Sequence, residues 1–133
     1  MIRKFNNNKG SQTLEFVMLS PILIFILFGV IILGLTIFSW VIVADSAREA
    51  SRAEALGLAS ADVKAEEVLK GSGLNTDSDR LTIEKRETDN YVTVKVSYKQ
   101  PTFVPMLPVL FGGDAWDDYF IVSAKSQFKK ETE

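Results

Sequence analysis

The sequence contains neither cysteine nor histidine. Without cysteine there is no disulfide, thiol nucleophile or thiolate metal site, and without histidine the commonest general base and the commonest zinc ligand are missing. Dense basic stretches are scarce too. Nothing exceeds Lys85-Arg86 and Lys129-Lys130, and the formal net charge is −2, which argues against a nucleic-acid surface. No constellation combines a base, a nucleophile and an orienting group, so the chain reads as a non-enzyme that needs no cofactor. Charge of either sign is absent from one long stretch: the 29 residues from Phe16 to Ala44, between Glu15 and Asp45.

That stretch is too long for the roughly 7–15 residue apolar region of a secretory signal peptide, and Ile42-Val43-Ala44 is a poor cleavage site of the small-x-small kind. A bilayer core of ~30 Å takes about 20 helical residues at ~1.5 Å each, so the run spans it with about two turns to spare. The reading is one transmembrane helix. Arg3, Lys4 and Lys9 precede it with no acid before Glu15, whereas Asp45 to Glu54 holds three acids against Arg48 and Arg52. The positive-inside rule therefore puts the amino terminus in the cytoplasm and the last 89 residues outside. Trp40, with Phe38 beside it, falls where an aromatic anchor at the outer membrane interface belongs.

Beyond the span, Asp45 to Leu56 is rich in Ala, Glu and Arg and meets no Gly or Pro before Gly57, so the membrane helix should continue as one rod from about Phe16 to Leu56. Ala47, Ala50 and Ala53 form a narrow small-residue stripe on its outer half, of the sort that packs closely on a partner surface. A short helix is expected over 61–70, with Ser60 as N-cap, Asp62 in its first turn, Lys70 in its last and Gly71 just beyond. Residues 81–84 and 91–98 alternate with period two, with Val92, Val94, Val96 and Tyr98 on one face, and read as a hairpin turning at Asp89-Asn90. Pro101, Pro105 and Pro108 forbid regular structure, after which Phe120, Val122 and Ala124 mark a third strand within 119–128. The fold class is α+β: a long transmembrane helix extended outside the membrane and, with a short helix, covering the apolar side of a small antiparallel sheet of about three strands.

The amino-terminal junction reads Lys9-Gly10-Ser11-Gln12-Thr13-Leu14-Glu15-Phe16 and enters the apolar run at once. It resembles the prepilin processing site of type IV filament proteins: a basic leader ending in Gly, with Glu at the fifth position after the cleaved bond. Together with Pro21 and the Ala-Arg-Glu-Ala-Ser-Arg segment at 47–52, it resembles the TadE-like family, minor pilins or pseudopilins of tight-adherence (Tad) pili, over roughly residues 9 to 56. The resemblance implies a pilin-like layout of leader 1–10, transmembrane helix with its extension 11–57, and a small extracytoplasmic domain 58–133. It implies cleavage by a prepilin peptidase between Gly10 and Ser11, with Lys9, Gly10 and Ser11 as the processing site and Glu15, Phe16 and Pro21 serving assembly. Implied partners are the membrane, the peptidase, other pilin and pseudopilin subunits and the pilus assembly platform; the location is the cell membrane or an extracellular pilus. Ser11 departs from the Phe common at the first mature position of type IVa pilins, which leaves methylation of the new terminus open.

Each of these residues also has a plainer reading. Glu15 suits the headgroup layer near the positive end of the helix dipole, and Pro21 suits a simple kink. Gly29 and Gly34 are five apart, outside the G-x-x-x-G dimer spacing. Asn75 to Asp79 begins like a calcium loop, but Arg80 and Arg86 stand where Gly and Glu are required, so a solvated turn is the better reading and no metal site is expected. Asp114, Asp117 and Asp118 around Trp116 read as loop acids. Phe103 to Phe111 has seven apolar residues and two prolines in nine and should be covered by the protein's own core, a neighbouring subunit or the membrane surface, the first being favoured. The rival to the pilin reading is an unprocessed single-pass accessory protein that binds another envelope component.

Overall fold

Residues 8–102 and 104–130 are described by the computed structural model. A single helix, α1 (Asn8–Ala55, 48 residues), dominates it and extends about 72 Å at ~1.5 Å per residue. It runs through Asp45 without a break, as the Ala, Glu and Arg content predicts. Pro21 lies inside it. Its ring nitrogen cannot donate to the Val17 carbonyl, and the Ser20 hydroxyl donates to that carbonyl instead, at 3.0 Å. The helix ends where Gly57 adopts a left-handed φ of 65°. There the Leu58 N–H reaches the Ala53 carbonyl at 2.9 Å and the Gly57 N–H reaches that of Glu54 at 3.1 Å, a Schellman ending.

The second helix, α2 (Ala61–Gly71), corrects two expectations. Ser60 occupies the N-cap position in extended backbone, yet its side chain makes no capping bond; the Ala61 N–H donates to Glu54 Oε2 of α1 at 2.6 Å. Gly71 is the last helical residue rather than the terminator. Gly73, at φ 81°, reverses the chain, with the Leu74 N–H on the Leu69 carbonyl at 3.1 Å and the Gly73 N–H on that of Lys70 at 3.0 Å. Ala61, Ala65 and Leu69 are buried. The helix packs chiefly along α1 and meets the sheet mainly at its first strand, so most of the cover for the sheet comes from α1.

The sheet is antiparallel in the order β1 (Leu81–Glu87), β2 (Tyr91–Pro101), β3 (Tyr119–Lys129). At Asp89-Asn90 the chain turns between Thr88 and Tyr91, whose N–H and C=O groups bond reciprocally at 2.8 and 3.3 Å. Along β2 the expected alternation holds: Val92, Val94, Val96, Tyr98 and Gln100 are buried, and the residues between them face outward. Phe120 and Val122 of β3 join this inner face, and the register sets Val96 beside Ile83 and Ala124, and Val94 beside Lys85 and Ser126.

The small stripe of α1 lies on this face and on α2, within its own chain. Val43, Ala47 and Ala50 form one core cluster with Ala61, Ala65, Leu69 and the inner residues of β2. The stripe also reaches further than Ala47–Ala53, back through Ser46, Ser39 and Thr36 to Ile32, all buried. Steps of three and four residues keep these positions on one side of the helix. Small side chains let the helix backbone approach the sheet, and the hydroxyls carry their own partners: Thr36 donates to the Ile32 carbonyl at 2.7 Å and Ser46 to that of Val43 at 2.8 Å.

Between β2 and β3 the proline-rich stretch contains a 3₁₀ turn, Pro108–Phe111, where no regular structure was expected. Pro108 begins it because a first-turn position needs no N–H donor. Phe111 stacks on Phe120 with ring centroids 4.5 Å apart. Self-burial of this stretch, the favoured expectation, is only partial: Thr102 and Pro108 are buried, whereas Met106, Val109, Leu110 and Phe111 stay exposed. Phe103 lies outside the described residues.

Candidate processing and assembly helix

The two halves of α1 have different surroundings. From Gly10 to Ile31 every residue is exposed except Ser20 and Gly29, which are half-buried, so more than half of the surface of each of Phe16, Leu19, Leu23, Phe25, Leu27 and Phe28 is left open. Among the described residues this is the one helix long and apolar enough to cross a membrane, and only 6% of its most apolar window is buried. A core helix of a water-soluble protein would be covered. The outer half, Ile32 to Ala53, supplies the helix side of the core of the folded unit, so removing the apolar run as a signal peptide would remove Ile32, Thr36, Ser39 and Val43 from the surface on which the sheet is built. The helix is a membrane anchor for a single-pass protein.

Gly10 and Ser11 sit in the opening turns of α1 and are exposed, as are Glu15 and Phe16. Ser11 and Glu15 are four residues apart, one above the other on the same helix face. Pro21 lies one and a half turns further along, its lost hydrogen bond offset by Ser20. Trp40 is half-exposed beside Leu33, Thr36 and Ile37 on the wall of an open groove of about 320 Å³, whose other wall includes Phe111 and Ile121. The remaining processing residue, Lys9, has its side chain outside the described residues, as are Arg3 and Lys4, on which the orientation rests.

The acidic segments form turns. Asn75 Oδ1 accepts the Asp77 N–H at 3.0 Å, and Asp117 Oδ2 accepts the Asp114 N–H at 2.9 Å. Each carboxylate or amide thereby serves its own backbone.

Sequence reasoning missed two junctions. The Ser39 hydroxyl donates to Gln100 Oε1 at 2.6 Å, joining α1 to β2 in a buried setting. The second centres on Glu54, whose Oε1 accepts from Lys85 Nζ at 2.6 Å while Oε2 caps α2, so one carboxylate ties together α1, α2 and β1. The Lys85 hydrogen bond, assisted by the Ala61 N–H and opposed by desolvation, holds the Glu54 carboxyl below its ordinary value. The same bond raises Lys85, and Lys130 lowers Glu87. A signal for the first junction was present, since Thr36 and Ser39 continue the spacing of Val43, Ser46, Ala47 and Ala50. Nothing local distinguishes Glu54 from the other acids of its helix, because its partners lie 7 and 31 residues away.

Comparison with curated proteins and with solved structures finds no match to this chain. The family model described as TadE-like protein matches residues 10–52, from the glycine of the junction to the residue before Ala53, so over most of the helix that anchors the chain and supports its sheet the sequence is similar to TadE-like proteins.

Proposed function

We propose that this protein is a minor pilin or pseudopilin, cut by a prepilin peptidase between Gly10 and Ser11 and taking part in assembly of a Tad-type pilus with its α+β unit outside the cytoplasm. The observation that carries this reading is the TadE-like match, which starts at Gly10 and runs through the span. Its mechanism is lateral helix packing. Among the described residues, those of the inner half of α1 are exposed apart from the half-buried Ser20 and Gly29, which leaves its apolar surface available to neighbouring helices.

Glu15 has a definite part in that mechanism. When helices pack, a carboxylate one residue before the uncharged run is drawn toward hydrocarbon, where a central charge costs about 2.5–3.5 kcal/mol on the translocon scale. Cleavage creates a compensating cation, the free amine of Ser11. Pairing within one chain spans a single helical turn; pairing with a neighbour would set two helices in register and link processing to assembly.

Mass spectrometry of the full chain from membranes that contain an active prepilin peptidase tests the cut. The expected species begins at Ser11, and Gly10→Val should block its formation, because a pocket shaped for a residue without a side chain excludes a branched one. Residues 1–10 still attached would favour the unprocessed accessory protein. Glu15→Gln should insert and fold normally but lower piliation and co-purification with pilus components; normal piliation with this variant as sole copy would remove Glu15 from assembly.

A further inference from the structure

We propose that the segment 104–118 seats the folded unit on the membrane, its apolar side chains entering the headgroup layer around the exit of α1 from the bilayer. The inference rests on the membrane span and on neither processing nor filament assembly.

Two polar links fix the direction of the sheet along the helix. Ser51 meets Ser126 at 3.1 Å and Ser39 meets Gln100 at 2.6 Å, while Gln100 lies opposite Phe120. The end of the sheet from which 104–118 projects is therefore the end nearest the bare half of α1. Phe111 confirms this placement, since it shares a groove with Leu33, Thr36 and Ile37.

The bilayer reaches the same level by an independent count. Starting from Phe16, the first residue of the uncharged run, ~30 Å of hydrocarbon takes about 20 residues at ~1.5 Å each and ends near Thr36. Trp40 then lies about 6 Å further out, in the headgroup layer, where indole rings concentrate. The segment beside Leu33 to Ile37 is thus at the hydrocarbon edge.

Its side chains suit that place. Leu110 is 76% exposed, Met106 66% and Trp116 83%, and Phe111, next to Leu110 in the chain, shares its groove with the exposed Ile37 and Trp40 of the helix wall. Water would make contact with all of these side chains if the unit stood clear of the bilayer. Asp114, Asp117 and Asp118 limit the depth, because carboxylates in hydrocarbon are costly, and they offer no attraction to anionic lipid. The contact is accordingly with zwitterionic lipid, and it is apolar and insensitive to salt.

The chain has two tryptophans, so Trp40→Phe leaves Trp116 as the sole tryptophan, excited selectively at a wavelength where tyrosine does not absorb. The full-length variant is placed, one copy per nanodisc, in phosphatidylcholine carrying bromine at shallow or deep acyl positions. Blue-shifted Trp116 emission is expected, quenched more by shallow than by deep bromine and protected severalfold from aqueous acrylamide. Leu110→Asp should abolish that protection while far-UV circular dichroism stays unchanged. Emission and acrylamide quenching equal to those of free tryptophan would overturn the proposal, as would protection that appears only with two copies per disc, which would make a second copy the cover. A polarity-sensitive dye on Leu110→Cys gives a second reading in the otherwise cysteine-free chain, and a water-like signal there would also count against it. Carbonate-resistant retention of the chain in membranes tests the span separately.

Discussion

The hydroxyl of Ser39, inside the uncharged run, donates to the side-chain carbonyl of Gln100 on the central strand at 2.6 Å, and both residues are buried. The bond locks the sheet to the helix close to where the bare part of α1 gives way to the sheet-covered part. Ser39→Ala leaves the amide oxygen buried without its donor, a loss of about 1–3 kcal/mol. Adding Gln100→Met removes the orphaned group and should recover most of it. Thermal unfolding of the full chain in detergent micelles checks both; an unchanged midpoint for Ser39→Ala would mean the bond contributes nothing.

Glu54 gives the folded unit a defined pH response. Its carboxyl lies below the ordinary 4.5 through the Lys85 hydrogen bond, and that of Glu87 does so through Lys130. A carboxyl depressed in the folded state stabilises fully above its unfolded value and loses that contribution as pH falls through the folded one. Lys85, raised above 10.5, acts in the opposite sense and loses its contribution as pH rises through its folded value. Stability of the wild type should therefore drop below pH 4.5 and again above 10.5. Glu54→Gln should flatten part of both limbs, and pH profiles that superimpose would contradict this account.

The two glycines near the helix ends should respond with opposite signs. Gly57 needs a φ of 65°, so Gly57→Ala should cost about 1–2 kcal/mol, the strain of the left-handed conformation. Gly71 is helical with open space around its Cα, so Gly71→Ala should gain about 0.5–1 kcal/mol. Unfolding midpoints that move in the same direction would show the endings are wrongly assigned.

The close approach of helix and sheet depends on Ala50, which is fully buried. Ala50→Leu adds three heavy atoms where no space exists and should destabilise by about 1–3 kcal/mol or more, whereas Glu49→Leu, on the exposed side, should leave the midpoint within about 0.5 kcal/mol. Equal effects from the two would place the seam elsewhere.

Much of this was legible in the chain because its causes are local. An uncharged run of 29 residues has no comfortable state in water, and the period-two pattern of Val92 to Tyr98 commits one strand face to burial whatever covers it. The glycine, the acid and the apolar run that carry the TadE-like resemblance also stand together in sequence.

Tertiary structure decided what covers what. The stripe at Ala47, Ala50 and Ala53 identifies a close-packing surface but not its partner, and the partner is the chain's own sheet and short helix. Ser60 has the chemistry of an N-cap, yet Glu54 takes that bond because the turn at Gly57 folds α2 back alongside its carboxylate. The boundary between the bare and sheet-facing parts of α1, near Ile32, has no mark in the hydropathy, since it falls inside the run from Phe16 to Ala44 that carries no charge on either side of it. It appears only when residues about 60 to 90 positions later in the chain close over Thr36 and Ser39, because burial is a property of distant segments meeting and not of the residues buried.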